Sequence, residues 1–528
     1  MQDLEATLFC LRALETPVSD SDSPHLGRLF NSPLFASLHP DTRLRATGLL
    51  LIGDYAAWFA DRPDAVVAAV TFVVAGLAVP NLSGAAAKAL RDLCHHCRRL
   101  LVPHLGSFVA VLGGVGVGLE QDEFGKVLEA VGSVVQACEG GAGVDPLLAL
   151  VEPVLAELEA GLALLAADPV EAEDVCVQQL RALTALARGL NNPDDDLHEL
   201  DQSFDDSLAL AQAHAGQVLT DPRVGAMRAR LGSAVERVAG AWAGEAGVVE
   251  VLSDFVRHST GDSVPSAVGL DSWALLALAT GALERSVSSV WLAMASGLLA
   301  RLGRDASEAE LTSERLDKVG RPVEAGLRVV LASCANADAM EREPDVVAAF
   351  LAFATAVLRH FPLVLAHLPE HLAALLRFAV LALSLQERFS FQATVQLLTL
   401  AVQQAFMAGP SSAAFRAQVG PAVPAIVEAA LAGVGGRVPR SGLGALAELL
   451  QVVLLRMPEE GRAAAAEVLG REAWEWTARA SAEQRARFGR ALLGARTGKQ
   501  YRQVVTEFAL VCRGLDGSAY AAATGGIR

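Results

Sequence analysis

Tyrosine and lysine are scarce: the 528-residue chain has three Tyr and four Lys, and aromatic residues of every kind make up only 5% of it. With 52% of the residues hydrophobic, Ala, Leu and Val must fill most of the core. Strand-rich folds draw on Ile, Val, Thr, Tyr and Phe in alternation. No sustained period-two run occurs, whereas apolar spacings of three and four recur from end to end, which predicts an all-α chain. The few lysines beside many arginines read as genomic bias and not as chemistry.

Cysteine is sparse and unpatterned. Cys10, Cys94, Cys97, Cys138, Cys176, Cys334 and Cys512 are an odd, scattered set without framework spacing, as expected of reduced, buried thiols in an intracellular protein. Long apolar runs are missing too. The longest, such as Val66 to Val79, fall short of the ~18 residues a membrane span needs, and no basic n-region opens the chain, so a soluble protein is expected. Net positive charge is absent: the formal charge is −17, which argues against sequence-independent binding to nucleic acid and for basic protein partners.

What the chain does have is punctuation. Pro40, Pro63, Pro80 and Pro103 each fall at a segment's first turn or in the turn before it. Segments near 42–60 and 64–79 predict one hairpin, and segments near 83–101 and 104–117 the next. Later turns are expected at Asp168-Pro169, Asp221-Pro222, Glu343-Pro344 and Met457-Pro458. At ~40–47 residues per pair the length accommodates roughly a dozen pairs. A single globular core stops growing well before this length. The expected fold is therefore a HEAT-type α-solenoid, a right-handed superhelical stack of antiparallel helix pairs, over residues 1–516, with 517–528 as a flexible tail.

The run Arg45-Ala46-Thr47-Gly48-Leu49-Leu50-Leu51-Ile52-Gly53-Asp54-Tyr55-Ala56-Ala57-Trp58, then Ala85-Ala86-Ala87-Lys88-Ala89-Leu90 and Cys94-His95-His96-Cys97-Arg98, resembles the importin-13/transportin-3 branch of the β-karyopherins. Leu4 to Phe9 is similar to the preceding repeat of that family, Glu343-Pro344-Asp345 with Phe350, Ala354 and the turn at 359–362 to a later one, and Tyr501 to Arg513 to its terminal helix. The resemblance implies a nuclear transport receptor that shuttles between nucleus and cytoplasm, holds protein cargo on a concave face, takes nucleoporin Phe-Gly repeats in apolar grooves and is regulated by the GTPase Ran. It also places Met1 one helix before the Gly53-Asp54 block, so the N-terminal half that carries the family's main Ran contacts is expected to be absent. One branch recognises phosphorylated dipeptides through an arginine-rich helix, because guanidinium forks pair with phosphate. The stretch aligned with that helix, 248–260, offers only Arg257 and His258.

Two charged groups are candidate partner-binding sites. Lys88, Arg91, His95 and Arg98 fall at steps of three and four, a basic stripe that suits a partner, a solvated face or a ladder to the next repeat. Asp194, Asp195 and Asp196, with Glu199, Asp201, Asp205 and Asp206, fall between helical segments and suit either a basic cargo tail or a solubilising loop. Their spacing lacks the central Gly and closing Glu of an EF-hand. Cys94-x-x-Cys97 invites a metal reading, but Leu90, Leu93, Cys94, Cys97 and Leu101 share one helical face and no second ligand pair follows at zinc spacing, which favours burial. Gly113 to Gly118 follows no strand and lacks Walker spacing to Gly125-Lys126, so a weakened helix end is expected there. Trp474 and Trp476 are expected in a late helix as anchors, with Trp242, Trp273 and Trp291 in similar roles. No catalytic motif is found. The chain is read as a binding protein without cofactor, metal or enzymatic activity, and a HEAT scaffold without a transport role is the alternative.

Overall fold

The computed structural model describes residues 2–14, 24–32, 34–35, 38–60, 62–115, 118–191, 212–260, 264–304, 313–407, 409–472 and 474–515. Among the described residues every regular element is helical. Contacts divide the chain into two compact units, Met1–Leu270 and Asp271–Arg528.

The first unit comprises α1 (Gln2–Arg12), α2 (Pro24–Phe30), α3 (Thr42–Asp54), α4 (Ala56–Phe59), α5 (Pro63–Leu77), α6 (Ser83–His96), α7 (Arg98–Leu101), α8 (Leu105–Val115), α9 (Gln121–Gln136), α10 (Val144–Leu164) and α11 (Pro169–Leu190). It continues with α12 (212–220), α13 (Pro222–Ala241) and α14 (Ala246–Ser259). Consecutive helices pair: α5 with α6, α8 with α9, α10 with α11, α13 with α14. The pairs align so that α1, α3, α6, α9, α11 and α14 pack successively in a first layer, and α8, α10 and α13 in a second.

The second unit holds α15 (Ser272–Arg285), α16 (Ser289–Arg304), α17 (Ser313–Ser333), α18 (Ala337–Arg342), α19 (Pro344–His360), α20 (Pro362–Ala366), α21 (Pro369–Ala382), α22 (Arg388–Gln404), α23 (Ser412–Ala432), α24 (Leu443–Arg456), α25 (Pro458–Gly470), α26 (Ala482–Gly494) and α27 (Gly498–Cys512). Here α16, α19, α22, α24 and α27 form one layer and α15, α17, α21, α23 and α25 the other. Two-layered stacking of hairpins makes the chain a HEAT-type α-solenoid.

Helix starts follow the chemistry of unsatisfied N–H groups. Pro63, Pro169, Pro222, Pro344 and Pro458 stand at first helical positions, where the missing N–H costs nothing. Asp41, Asp168, Asp221 and Asp271 accept from backbone N–H groups of α3, α11, α13 and α15. Ala, Leu and Val dominate the buried set, and Phe30, Phe35, Tyr55, Trp58 and Phe59 form an aromatic knot between α2 and α4, with the Arg62 guanidinium 4.3 Å from the Trp58 ring.

Three findings depart from the sequence reading. Trp474 and Trp476 are half-buried and sit at a short 3-10 turn, Glu475–Thr477, rather than in a helix; Trp476 packs on Gly435 and under Arg437. Trp242 and Trp291 are buried. Pro153, Pro322, Pro421 and Pro424 lie inside helices α10, α17 and α23, so proline does not always mark an end. Finally, the helix Ser412–Arg437 is long and apolar enough to cross a membrane by length and composition. Counting uninterrupted apolar runs missed it because Arg416, Gln418 and Glu428 break the run. It packs between α21, α24 and α25 and buries Phe415, Val419, Val423, Ile426 and Val427.

Candidate partner-binding surface

The candidate basic stripe begins on α6. Lys88 Nζ is 3.2 Å from Asp54 Oδ1 at the end of α3, and Arg12 Nε of α1 is 2.6 Å from the other oxygen of the same carboxylate. Asp54 thus ties three successive first-layer helices together. Beside it, Gly53 lets α3 approach α6: a Cβ there would stand 3.0 Å from Ala89 Cα. The Gly53-Asp54 pair has a physical reading, a close helix crossing followed by an ion-pair hub.

Further along, the stripe leaves the surface. α6 ends at His96, and Cys97, at φ −102 and ψ 17, caps it. The helical phase therefore breaks before Arg98, which was expected in the stripe but is only 8% exposed. Its Nε donates to His95 O at 3.0 Å and Nη1 to Gln136 Oε1 of α9 at 2.9 Å. Arg91 is half-buried and pairs with Asp92 through Nη2 at 2.9 Å. Lys88 remains 39% exposed. The geometry is a ladder in which α6 reaches back to α3 through Lys88 and α7, directly after it, reaches forward to α9 through Arg98. Burial pushes the Glu129 carboxyl of α9 up, against the pull of Arg91 and of Arg188 on α11, and burial pulls His95 down, with Arg98 adding to it.

Cys94 and Cys97 are buried. Burial pushes the Cys94 thiol far up, and Cys97 Sγ donates to Ala56 O at 3.6 Å. Among the described residues no group of three or more His, Cys, Asp or Glu side chains is placed to hold a metal ion. Arg257, near the end of α14, is 69% exposed and pairs with Asp254 one turn earlier at 2.5 Å. Asp194, Asp195 and Asp196 lie outside the described residues, as do 517–528.

Sequence reasoning did not find a cavity of about 850 Å3 in the first unit, where first-layer helices end and second-layer helices begin. Val102, Pro103, Cys138, Leu147, Leu190 and Pro265 give it apolar walls, and Arg98, Arg99, Gln136, Glu139 and His214 supply polar groups. Its residues come from five separate stretches of chain, so no local motif announces it. In the second unit a smaller cavity of about 380 Å3 is lined by Asp317, Arg321, Glu324 and His367.

Residues 36–111 match a family model described as the third TPR domain of transportin-3/importin-13. That span runs from α3 through most of α8 and includes Gly53, Asp54, Lys88, Arg91 and Arg98. A structure of importin-13 in its cytosolic state superposes with a TM-score of 0.75 at 17% identity, covering 97% of this chain and 55% of that one. Importin beta, crystallised in an ammonium sulfate condition, superposes with a TM-score of 0.53 at 14% identity, again covering 97% and 55%. An uncharacterized protein of Schizosaccharomyces pombe (strain 972) is 29% identical over 136 residues, which are 25% of this chain and 14% of that protein. The chain spans about half the length of the solved structures it resembles. The domain match thus ties residues 36–111 to the transportin-3/importin-13 family, and the rest of the described chain shares the helical-repeat fold of these structures.

Proposed function

We propose that the chain works as the cargo-holding part of a nuclear transport receptor, moving between nucleus and cytoplasm and performing no catalysis. The observation that carries this reading is the domain match at 36–111, set in a helical-repeat stack. A solenoid of this kind binds by spreading many weak polar contacts over a large surface. Among the candidate contact residues, Arg257 and Lys88 keep exposed cationic heads. Arg91 and Arg98 are held in the ladder and would act by fixing the helices that present the surface. Asp194, Asp195 and Asp196 remain the candidate acceptors for a basic cargo tail, in keeping with the −17 formal charge. Nucleoporin Phe-Gly repeats and Ran are the partners that the resemblance to the transportin-3/importin-13 family brings into this proposal.

The test is transport itself. In permeabilised cells the fluorescently labelled chain should concentrate at the nuclear rim and bind immobilised Phe-Gly repeats. Neither rim staining nor repeat binding would sink the transport reading and leave a scaffold. Calorimetric titration with Ran-GTP then measures how much of the regulated contact these residues carry; little or no heat is expected. For cargo, Asp194→Asn, Asp195→Asn and Asp196→Asn together should slow association with a basic peptide and flatten its salt dependence. Unchanged rates would remove those carboxylates from the mechanism.

A further inference from the structure

The second-layer contact between α10 and α13 is written in charge at a fixed period. Asp145, Glu152 and Glu159 lie seven residues apart on α10, and Arg223, Arg230 and Arg237 lie seven apart on α13. Seven residues is close to two helical turns, so each row stands on one face of its helix. The rows meet in register. Arg223 Nη1 is 2.7 Å from Asp145 Oδ1, and Arg230 Nη1 is 2.6 Å from Glu152 Oε2. Arg230 also grips Glu159 with two bonds, Nε to Oε1 at 3.0 Å and Nη2 to Oε2 at 2.8 Å. Arg237 Nη2 donates to Leu162 O at 3.2 Å, and its charge joins that of Arg230 in holding the Glu159 carboxyl below its ordinary range.

We infer that the α10–α13 seam is an ionic-strength-sensitive joint of the first unit, closed by this in-register zipper of arginines against carboxylates and loosened as salt screens it. The acids that reach across the seam are all on α10 and the bases all on α13, although Arg223 also holds Asp221 at its own helix's N-cap, Nη2 to Oδ2 at 3.0 Å, so the like-charge rows are strongest at Arg230 and Arg237. Separation therefore leaves two rows of like charge, each repelling itself. The zipper is also on the surface: the paired side chains of Asp145, Glu152, Glu159, Arg223 and Arg230 are between 35% and 82% exposed. Exposed charges are what dissolved ions screen, since the Debye length falls from ~10 Å at ~0.1 M to ~3 Å at ~1 M. Isolated surface pairs contribute little, but a bidentate arginine shared between two carboxylates is the geometry in which a network does contribute. The apolar residues beneath, among them Leu155, Leu158, Leu231 and Val235, keep the helices associated when the zipper weakens. Loosening therefore changes how the hairpins lean on each other and lets α10 and α13 open locally more often, without unfolding the unit. The first-layer seam between α9 and α11 is closed mainly by backbone contact, with Glu129 and Arg188 as the charges that face each other across it, and should respond little.

Hydrogen exchange of the full chain at about 0.05 M and about 0.5 M sodium chloride tests this. Segments 147–162 and 224–239 should exchange about fivefold faster at high salt, while 121–136 and 171–190 change little. Arg230→Gln should give the fast rate already at low salt and abolish the salt response in those segments. Should that variant fail to fold, Glu159→Gln, which removes one of the two carboxylates on Arg230, should give an intermediate rate. Reversing the pairs together, Arg230→Glu with Glu152→Arg and Glu159→Arg, should restore the wild-type response. Salt-independent exchange in the wild type, a salt response that survives Arg230→Gln or Glu159→Gln unchanged, or a reversed zipper that stays loose would each overturn the inference.

Discussion

Two of the seams that join the hairpin α10/α11 to its neighbours work by different physics. Toward α9, helix α11 approaches so closely that a Cβ on Gly189 would stand 2.2 Å from Glu129 O, and one on Gly132 would stand 3.1 Å from Leu186 O. That seam is backbone against backbone, and any side chain would force it apart. Toward α13, helix α10 stands off at side-chain length and the gap is bridged by Arg223 and Arg230. One seam is fixed mainly by shape and responds little to solvent; the other is set by solvent. A repeat stack interacts only between neighbours, so having both kinds of seam on one hairpin places compliance at one joint and not at the other.

The sharpest test of this contrast is to put a methyl group into the first-layer seam and, as a control, onto the open face of α13. Gly189→Ala carries a helix-propensity gain of about 1 kcal/mol, yet the clash with the Glu129 carbonyl should reverse the sign and leave a net loss of about 3 kcal/mol. Gly225→Ala on α13, where an added Cβ meets nothing within 4 Å, should instead gain about 0.5–1 kcal/mol. Urea unfolding of both variants measures the difference. A Gly189→Ala protein as stable as wild type would mean that the first-layer seam yields to an added side chain and is not fixed by shape.

Next in size is Arg98. It is buried between α6 and α9 and donates to His95 O and Gln136 Oε1. Arg98→Ala strands both acceptors and should cost about 2–3 kcal/mol. Gln136→Ala leaves the guanidinium one acceptor short and should cost less. By comparison Lys88→Ala, at a half-exposed pair, should cost at most about 1 kcal/mol, because water replaces the lost partner of Asp54 and Arg12 still holds the other carboxylate oxygen. If the order of Arg98 and Lys88 came out inverted in thermal or urea unfolding, the ladder would not be carried by its buried rung.

The hairpins themselves could be read in advance, since a proline or aspartate at a helix start acts within four residues and leaves a local mark. Asp168-Pro169 and Asp221-Pro222 are such marks, and both open helices. The packed thiols of Cys94 and Cys97 were legible for the same reason. What could not be read was anything that depends on register between repeats. Lys88 meets Asp54 across 34 residues and Arg98 meets Gln136 across 38, while Arg230 meets Glu152 across 78. Such pairs follow only once hairpin lengths and layer order are fixed. Arg98 was placed on the wrong face because spacing alone carries α6 through Cys97, where the backbone in fact breaks. The 850 Å3 cavity is the extreme case, assembled from stretches as distant as Arg98 and Ala267.

The smallest effect is also the one that separates the seams most cleanly, because the two titrate in different windows. His95 on α6 and His258 on α14 belong to the first layer. Burial holds both below the ordinary value of 6.5, overriding the pull toward protonation that a helix C-terminus usually exerts. A depressed folded-state value means that the unfolded chain takes up the proton first. The contribution of these groups is therefore fully present above pH 6.5 and is lost as pH falls toward their folded-state values. The zipper carboxylate Glu159 is also depressed, by its bonds to Arg230, but from 4.5, so its contribution survives until the pH has dropped below that figure. Glu129, raised by burial, acts in the opposite sense, since its protonation on acidification favours the folded state, and a global stability curve would blend the two. Local exchange does not blend them. Between about pH 7.5 and about pH 5.5, after correction for intrinsic rates, the last turn of α14 should lose protection while 147–162 and 224–239 keep theirs. His258→Gln should flatten the loss in α14. Equal loss of protection in both layers over that window would show that the zipper does not stand apart from the first layer, and the distinction between the two seams would fail.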